Sequence, residues 1–461
     1  MSAAALSSAP RPMRYDLDPF LAELGDIPVE TEPSVVRRRS RDFFWYSPVL
    51  NRQLHGKSAD LIARPRNETD LIRIAQACFR RRIPLTPRGG ATGNYGQSVP
   101  LEGGVLVDLT ALDQIEWIRP GAVRVGAGAR MYNLDAELRA QGWELRMHPS
   151  TKRTATIGGF VAGGSGGVGS VTWGVLRDPG NLIAARIVTM EETPRVLELR
   201  GREAQAVNHG YGATGIITAL EIPTAPAYDW VDVVAAFDTF ADAVRFGQEL
   251  ALADGLVKKL VSLFDAPITP YLTGLAEACP AGRSILIAMI AAPSMDSFRT
   301  LLGSRGTLTH EAAFDERLGH EPIYEYTWNH TTLHWLKQDR SITYLQCLFP
   351  SERLLDSISE MQTLFGDEVI YHLEFIRFAG RLTCSSLPIV RFTTEERLTE
   401  IMKIHEDHGV MIANPHVWTL EDGARHKKAD ADQLGFKALV DPRGLLNPGK
   451  MRSFLPVEEG S

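Results

Sequence analysis

Eight glycines fall between positions 158 and 174, within Thr156-Ile157-Gly158-Gly159-Phe160-Val161-Ala162-Gly163-Gly164-Ser165-Gly166-Gly167-Val168-Gly169 and its continuation Trp173-Gly174-Val175-Leu176-Arg177-Asp178. Each glycine loses more freedom on folding than alanine, a cost of roughly 0.5–1 kcal/mol. Such density suits a chain whose backbone must approach a ligand closely. A flexible linker would not interleave Ile157, Phe160, Val161 and Trp173 with its glycines. The stretch predicts a packed fold with a glycine-lined wall facing a ligand.

A second stretch lies upstream: Pro87-Arg88-Gly89-Gly90-Ala91-Thr92-Gly93-Asn94-Tyr95-Gly96-Gln97-Ser98-Val99-Pro100, between strand-like runs at 83–86 and 105–109. Its glycines let amides turn toward an anion and admit positive φ. Thr92, Asn94 and Ser98 add short polar side chains. It is neither a Walker loop nor the G-x-G-x-x-G fingerprint, and taken alone it is equally compatible with a plain turn.

Around these loops strands alternate with helices. Asn67 with Asp70 marks a helix start, and Leu71, Ile74, Ala75, Cys78 and Phe79 share one face, so Cys78 reads as core. Further strands are expected at 123–125, 182–188 and 215–222, with a helix at 131–140. Pro223, Pro226, Asp229 and Asp232 mark a boundary near 226. Beyond it come a helix capped by Asp238, strands at 285–290 and 369–375, a short helix from Pro293-Ser294, and a helix capped by Thr393. The pattern predicts an α+β fold. The expected division is an N-terminal arm at 1–54 (irregular over its first 40 or so residues), a first domain at 55–226, a second at 227–415, and a C-terminal segment at 416–461 returning to the first. Arg37-Arg38-Arg39 reads as solvated surface.

The 461 residues suffice for more than one core. A net charge of −7 argues against a nucleic-acid partner. No apolar run reaches the roughly 18–20 residues of a membrane span, and Met1 to Pro12 lacks the pattern of a secretory signal. Cys78, Cys279, Cys347 and Cys384 show no metal-type spacing. A cytoplasmic enzyme is expected, with homo-oligomerisation left open.

The order of segments resembles the FAD-binding domain of the vanillyl-alcohol oxidase superfamily, the p-cresol methylhydroxylase (PCMH) type, and within it the D-lactate dehydrogenase and glycolate oxidase flavoprotein branch. The family's R-G-x-G-T-[GS]-x-x-G-x-x-V-P loop is matched by Arg88 to Pro100, with Ala91 replacing one glycine. Its A-T-[IV]-G-G passage is matched within Pro149 to Gly167, and its [YW]-G-x-x-R-D turn by Trp173 to Asp178. Gly210 to Thr218 matches G-x-x-G-T-L-G-[IV]-[IV]-T in part, and Asp441 to Lys450 matches D-P-x-G-[IL]-L-N-P-G-K. The resemblance covers about residues 55 to 451.

What it implies is a PCMH-type FAD domain with a substrate (cap) domain built on an antiparallel sheet. Arg88, Gly89, Gly90, Ala91, Thr92, Gly93, Asn94, Gln97 and Ser98 would surround the FAD pyrophosphate. Pro149, Ser150, Thr156, Gly158, Gly159, Gly163, Gly164, Ser165 and Gly167 would run beside the ribityl chain and ring. Ile216 and Ile217 would meet the adenine side, with Asn447 of the end signature also in the cofactor set. Some relatives attach FAD through a histidine in the first loop; Ala91 and Thr92 cannot, so noncovalent FAD is expected.

The implied reaction is oxidation of a CH–OH group of a small hydroxy acid or alcohol, with a base taking the hydroxyl proton. His416, in Asn414-Pro415-His416-Val417, keeps register with the family's G-E-H-G histidine and is the expected base, although Pro415 replaces the glutamate. The family's H-x-G-D-G-N-x-H metal segment corresponds to Gly380 to Ser386, which has neither histidine nor aspartate, and His330 with His334 alone is a poor metal signal. No metal is expected. The W-x-x-R region corresponds to Tyr324 to His334 without its arginine; Arg340, Arg377, Arg381 and Arg391 are the nearest substitutes for a carboxylate anchor. Tyr324, Tyr326, His330 and His334 are the expected substrate contacts, and their aromatic character suits a neutral alcohol as an alternative. A flavin subunit acting only in electron transfer is the rival class. The electron acceptor, whether oxygen, a quinone or a redox protein, is not legible.

Overall fold

The computed structural model describes residues 15–316, 321–423 and 431–456. Leu61–Ala63 and Leu85–Arg88 pair in parallel with the central strand Val105–Asp108, and Val29–Glu30 closes the far edge antiparallel. Parallel strands need a crossover, here the helix Glu68–Arg80, whose first turn is capped by Asn67 Oδ1 accepting from the Asp70 amide at 2.9 Å. Leu71, Ile74, Ala75 and Cys78 on its inner face are fully buried.

Residues 15–40, the described part of the expected irregular arm, hold regular structure instead. Asp18–Leu24 is a helix that buries Phe20 and Leu24 in the core of this sheet, and Pro33–Arg39 is another. Pro33, which reads as a breaker, sits in a first turn, where its missing N–H costs nothing. Arg37, Arg38 and Arg39 form the last turn of that helix, and Arg39 pairs with the buried Asp108 at 2.9 Å.

A second, antiparallel sheet orders Ile115–Arg119, Ala122–Gly126, Ile216–Pro226, Ala184–Val188 and Val196–Arg200, with Trp143–Leu145 on the far end of Ile216–Pro226. Between the two sheets the glycine stretches press together. A Cβ on Gly89 would lie 2.1 Å from Thr156 Oγ1, and one on Gly90 2.4 Å from the Thr154 carbonyl.

After Pro226 the chain enters an eight-stranded antiparallel sheet that begins with Trp230–Phe237. Alternation along that strand divides two cores: Val233, Ala235 and Phe237 face one, Val234 and Ala236 the other. The helix Phe240–Leu252 is capped by Thr239 rather than Asp238, and Glu395–Asp407 by Thr394 rather than Thr393. In each the capping hydroxyl accepts from an amide three residues on. The architecture is α+β, with an antiparallel cap sheet. The end of the chain returns to the first half: Val440 joins the core of the second sheet, and Leu446 bridges to Leu85.

Buried ion pairs pin the halves together. Lys259 Nζ reaches Glu144 Oε1 at 2.8 Å, and Trp230 Nε1 donates to Glu144 Oε2 at 2.9 Å. Lys152 Nζ joins Asp135 Oδ2 at 2.7 Å to Glu316 Oε2 at 2.9 Å. Burial alone would raise the Asp135 pKa, but Lys152 and Lys259 together hold it well below the usual carboxylate range.

Candidate active site

A cleft of about 240 Å³ runs between the glycine stretches and is also lined by Trp328, Asn329 and Gln346 of the cap half. Among the described residues, the backbone amides from Gly89 to Asn94 find no acceptor in the protein. Ala91, at φ +50°, bends them into a concave set of donors. Arg88 lies at the head of the set, with Nη1 on the Arg41 carbonyl at 2.9 Å and a buried Nε without a partner. Burial pulls its pKa down to about 10, so it stays charged near neutrality. Asn94 Nδ2 and Ser98 Oγ are also buried and unpartnered. Such groups are costly to leave unpaired. A run of unused N–H groups beside a guanidinium is the complement of a diphosphate.

All the expected cofactor residues line this cleft except Gly167, Ile216 and Asn447. A Cβ on Gly167 would lie 2.2 Å from the His148 carbonyl, so that glycine serves backbone packing. Ile216 points the other way from Ile217, into the core of the first sheet, as strand alternation requires. Asn447 works from behind: its Nδ2 donates to the carbonyls of Gln97 at 2.9 Å and Tyr211 at 2.6 Å, tying the first loop to the 208–215 segment. Gln97 Nε2 in turn holds the Gly163 carbonyl at 2.7 Å, linking the two loops.

The expected base and substrate residues lie elsewhere. His416 is not part of the cleft lining and is 4% exposed, with Nδ1 2.7 Å from Ser47 Oγ and Nε2 2.9 Å from the Tyr344 carbonyl. Burial pushes its pKa down to about 4, and no lone pair is left for a substrate proton. Tyr324, Tyr326, His330 and His334 are also absent from the lining. Tyr324 bonds Glu316, the Tyr326 ring stacks on His334 at 4.7 Å, and both histidines face the Glu325 carbonyl. Of the four arginines, Arg377 pairs with Asp254 and Arg381 with Glu352, Arg391 bonds the Asp367 carbonyl, and Arg340 lies over Trp45. No group of three or more His, Cys, Asp or Glu among the described residues is arranged to hold a metal.

Instead, the same segment sends Trp328 and Asn329 into the cleft, joined by Tyr95, Gln346, His209 and Tyr211. Trp328 adopts φ +54°, ψ −140°, a region nearly reserved for glycine, with strain of order 1–3 kcal/mol. His209 Nδ1 donates to the Gly164 carbonyl at 3.0 Å. Tyr95 and Tyr211 stand inside the glycine motifs, and Trp328 and Asn329 inside the segment matched to W-x-x-R; Gln346 carries no sequence signal.

A glycine-walled cleft lined with unused amides, beside an antiparallel cap sheet, is the complement of an extended dinucleotide. Residues 59–197 match the FAD binding domain family. The chain is similar to the mitochondrial D-2-hydroxyglutarate dehydrogenase of Bos taurus, 23% identical over 86% of this chain and 77% of that one. It is also similar to the D-lactate dehydrogenase of Archaeoglobus fulgidus, 27% identical over 41% of this chain and 44% of that one. Among solved structures, alkyldihydroxyacetonephosphate synthase shares the fold, with a TM-score of 0.72 at 17% identity, covering 96% of this chain and 86% of that one. The chain is an FAD-linked oxidoreductase with an FAD-binding domain at residues 59–197, similar to dehydrogenases named for D-2-hydroxyglutarate and D-lactate.

Proposed function

We propose that the chain is an FAD-linked dehydrogenase or oxidase that oxidises the CH–OH group of a small hydroxy acid or alcohol. The observation that carries this reading is the set of unpaired amides from Gly89 to Asn94 beside Arg88, in a cleft also lined by neutral polar residues of the cap. FAD, when bound, supplies the hydride acceptor. The loop residues would hold its diphosphate, while Tyr95, Trp328, Asn329 and Gln346 would meet the donor. Among the described lining residues there is no cysteine, and Ala91 and Thr92 occupy the family's attachment position, which supports noncovalent binding. The described cysteines are unpaired, as a reducing compartment such as the cytoplasm favours. No helix among the described residues is long and apolar enough to cross a membrane.

A second reading, a neutral or aromatic alcohol as donor, is favoured by one observation. Arg88 is the one fixed cation among the described lining residues, and it belongs to the diphosphate loop. Anaerobic mixing of the FAD-loaded protein with D-2-hydroxyglutarate, D-lactate, glycolate and aromatic alcohols tests both. Bleaching of the yellow flavin by a hydroxy acid supports the first reading, and bleaching by alcohols alone supports the second. A fully loaded protein that none of these bleaches overturns both and leaves an electron-transfer subunit.

A further inference from the structure

Glu374 lies on the cap strand His372–Phe378 and is 1% exposed. One of its oxygens, Oε1, collects three donors: the Trp328 amide at 2.7 Å, His372 Nε2 at 2.8 Å and Ser262 Oγ at 2.9 Å. His372 is fixed in turn by stacking on Phe264, centroids 4.6 Å apart and planes 14° apart. A buried carboxylate braced on two strands therefore grips the backbone of a cap residue whose φ and ψ suit glycine rather than tryptophan. Strain of this kind persists only where the surroundings over-determine it.

Both residues of the turn so held line the cleft, and each keeps one buried polar atom unused. Trp328 Nε1 is a buried donor without an acceptor, and Asn329 Oδ1 is a buried acceptor without a donor. An alcohol hydroxyl both accepts and donates, so its chemistry matches both of these unused atoms. A carboxylate could engage only Nε1 and would be repelled by Oδ1.

We propose that the Trp328–Asn329 turn recognises the donor's hydroxyl group, that Asn329 is its specificity-determining residue, and that Glu374 is a positioning residue holding the turn in its strained form. The proposal rests on the oxidoreductase reading above. It adds which residues bind the reacting group and how a distant carboxylate serves them.

The test uses FAD-loaded Glu374→Ala, Glu374→Gln and Asn329→Ala, with two readouts. Hydrogen exchange reports the Trp328 amide directly. It should be slow in the parent, at least tenfold faster in Glu374→Ala, and restored to within about threefold by Glu374→Gln, whose carbonyl can still accept it. Anaerobic bleaching by whichever panel donor reduces the parent reports recognition. The half-saturating donor concentration should rise about tenfold in Asn329→Ala, with FAD content and the rate of dithionite bleaching unchanged.

Unchanged protection of the Trp328 amide in Glu374→Ala overturns the positioning role. A half-saturation within twofold of the parent in Asn329→Ala overturns the recognition role, and that variant stays informative should Glu374→Ala fold poorly. A parent that no donor bleaches is the separate failure of the oxidoreductase reading. The recognition role falls with it, while the exchange arm still decides the role of Glu374.

Discussion

Nε2 of His416 donates to the backbone carbonyl of Tyr344 at 2.9 Å, which fixes the ring as the neutral tautomer whose Nδ1 accepts from Ser47 at 2.7 Å. Ser47 also caps the helix Pro48–Gln53 through the Leu50 amide, so the imidazole cross-links the N-terminal region to the cap half. His416→Ala should lower unfolding free energy by about 1–3 kcal/mol by orphaning buried groups, while flavin bleaching stays within about threefold. A base would instead cost roughly 10²–10⁴-fold in rate. The histidine also titrates: unfolded it binds a proton below about 6.5, folded only below about 4. Its contribution to stability is therefore present above 6.5 and lost as pH falls toward 4. Denaturant titrations of parent and His416→Gln across that window should show a shallower acid loss in the variant. Equal slopes would contradict the assignment.

Asp232 shows the opposite sign. It is buried, its Oδ1 has no partner, and burial raises its pKa to about 7. The folded state therefore holds a proton that the unfolded state releases near 4, and stability falls as pH rises from 4 through 7. Asp232→Asn should raise unfolding free energy by about 2–4 kcal/mol at pH 8 and leave it nearly unchanged at pH 4. An equal effect at both pH values would show that the carboxyl is not the titrating group.

Lys152 and Asp135 are both nearly inaccessible, so removing one strands the other. Lys152→Met should destabilise the protein by about 3–5 kcal/mol, measured by denaturant unfolding at pH 7. A loss below about 1 kcal/mol, the scale of a surface pair, would mean that the pair is solvated in solution.

Gly90→Ala places a Cβ 2.4 Å from the Thr154 carbonyl, a backbone atom that cannot swing aside. The two loops must then part, and purified protein should carry less than about a tenth of the parent's FAD. This contrasts with Gly159, where a Cβ would meet only Thr156 Oγ1 at 3.0 Å. Full occupancy in Gly90→Ala would remove the loop contact from the account.

The glycine walls were legible because their signal is local: density, spacing and interleaved apolar residues within a few turns of chain. Ile217 and Ile216 could not be separated that way, since one residue of strand phase decides which faces the cleft. The Trp328 turn was invisible because its conformation is set by Glu374, 46 positions away. The surroundings of His416 were hidden for the same reason, as its partners Ser47 and Tyr344 lie 369 and 72 positions off. The order around Pro33 was missed because proline reads as a breaker unless the first turn of a helix is recognised around it.

The central claim is that this cleft holds one FAD without a covalent bond. Absorbance of the purified protein, after incubation with FAD and removal of the excess, followed by acid precipitation, tests it most directly. One flavin per chain is expected, with all of the yellow colour released into the supernatant. Protein that stays colourless after incubation, or colour that remains in the pellet, would contradict it.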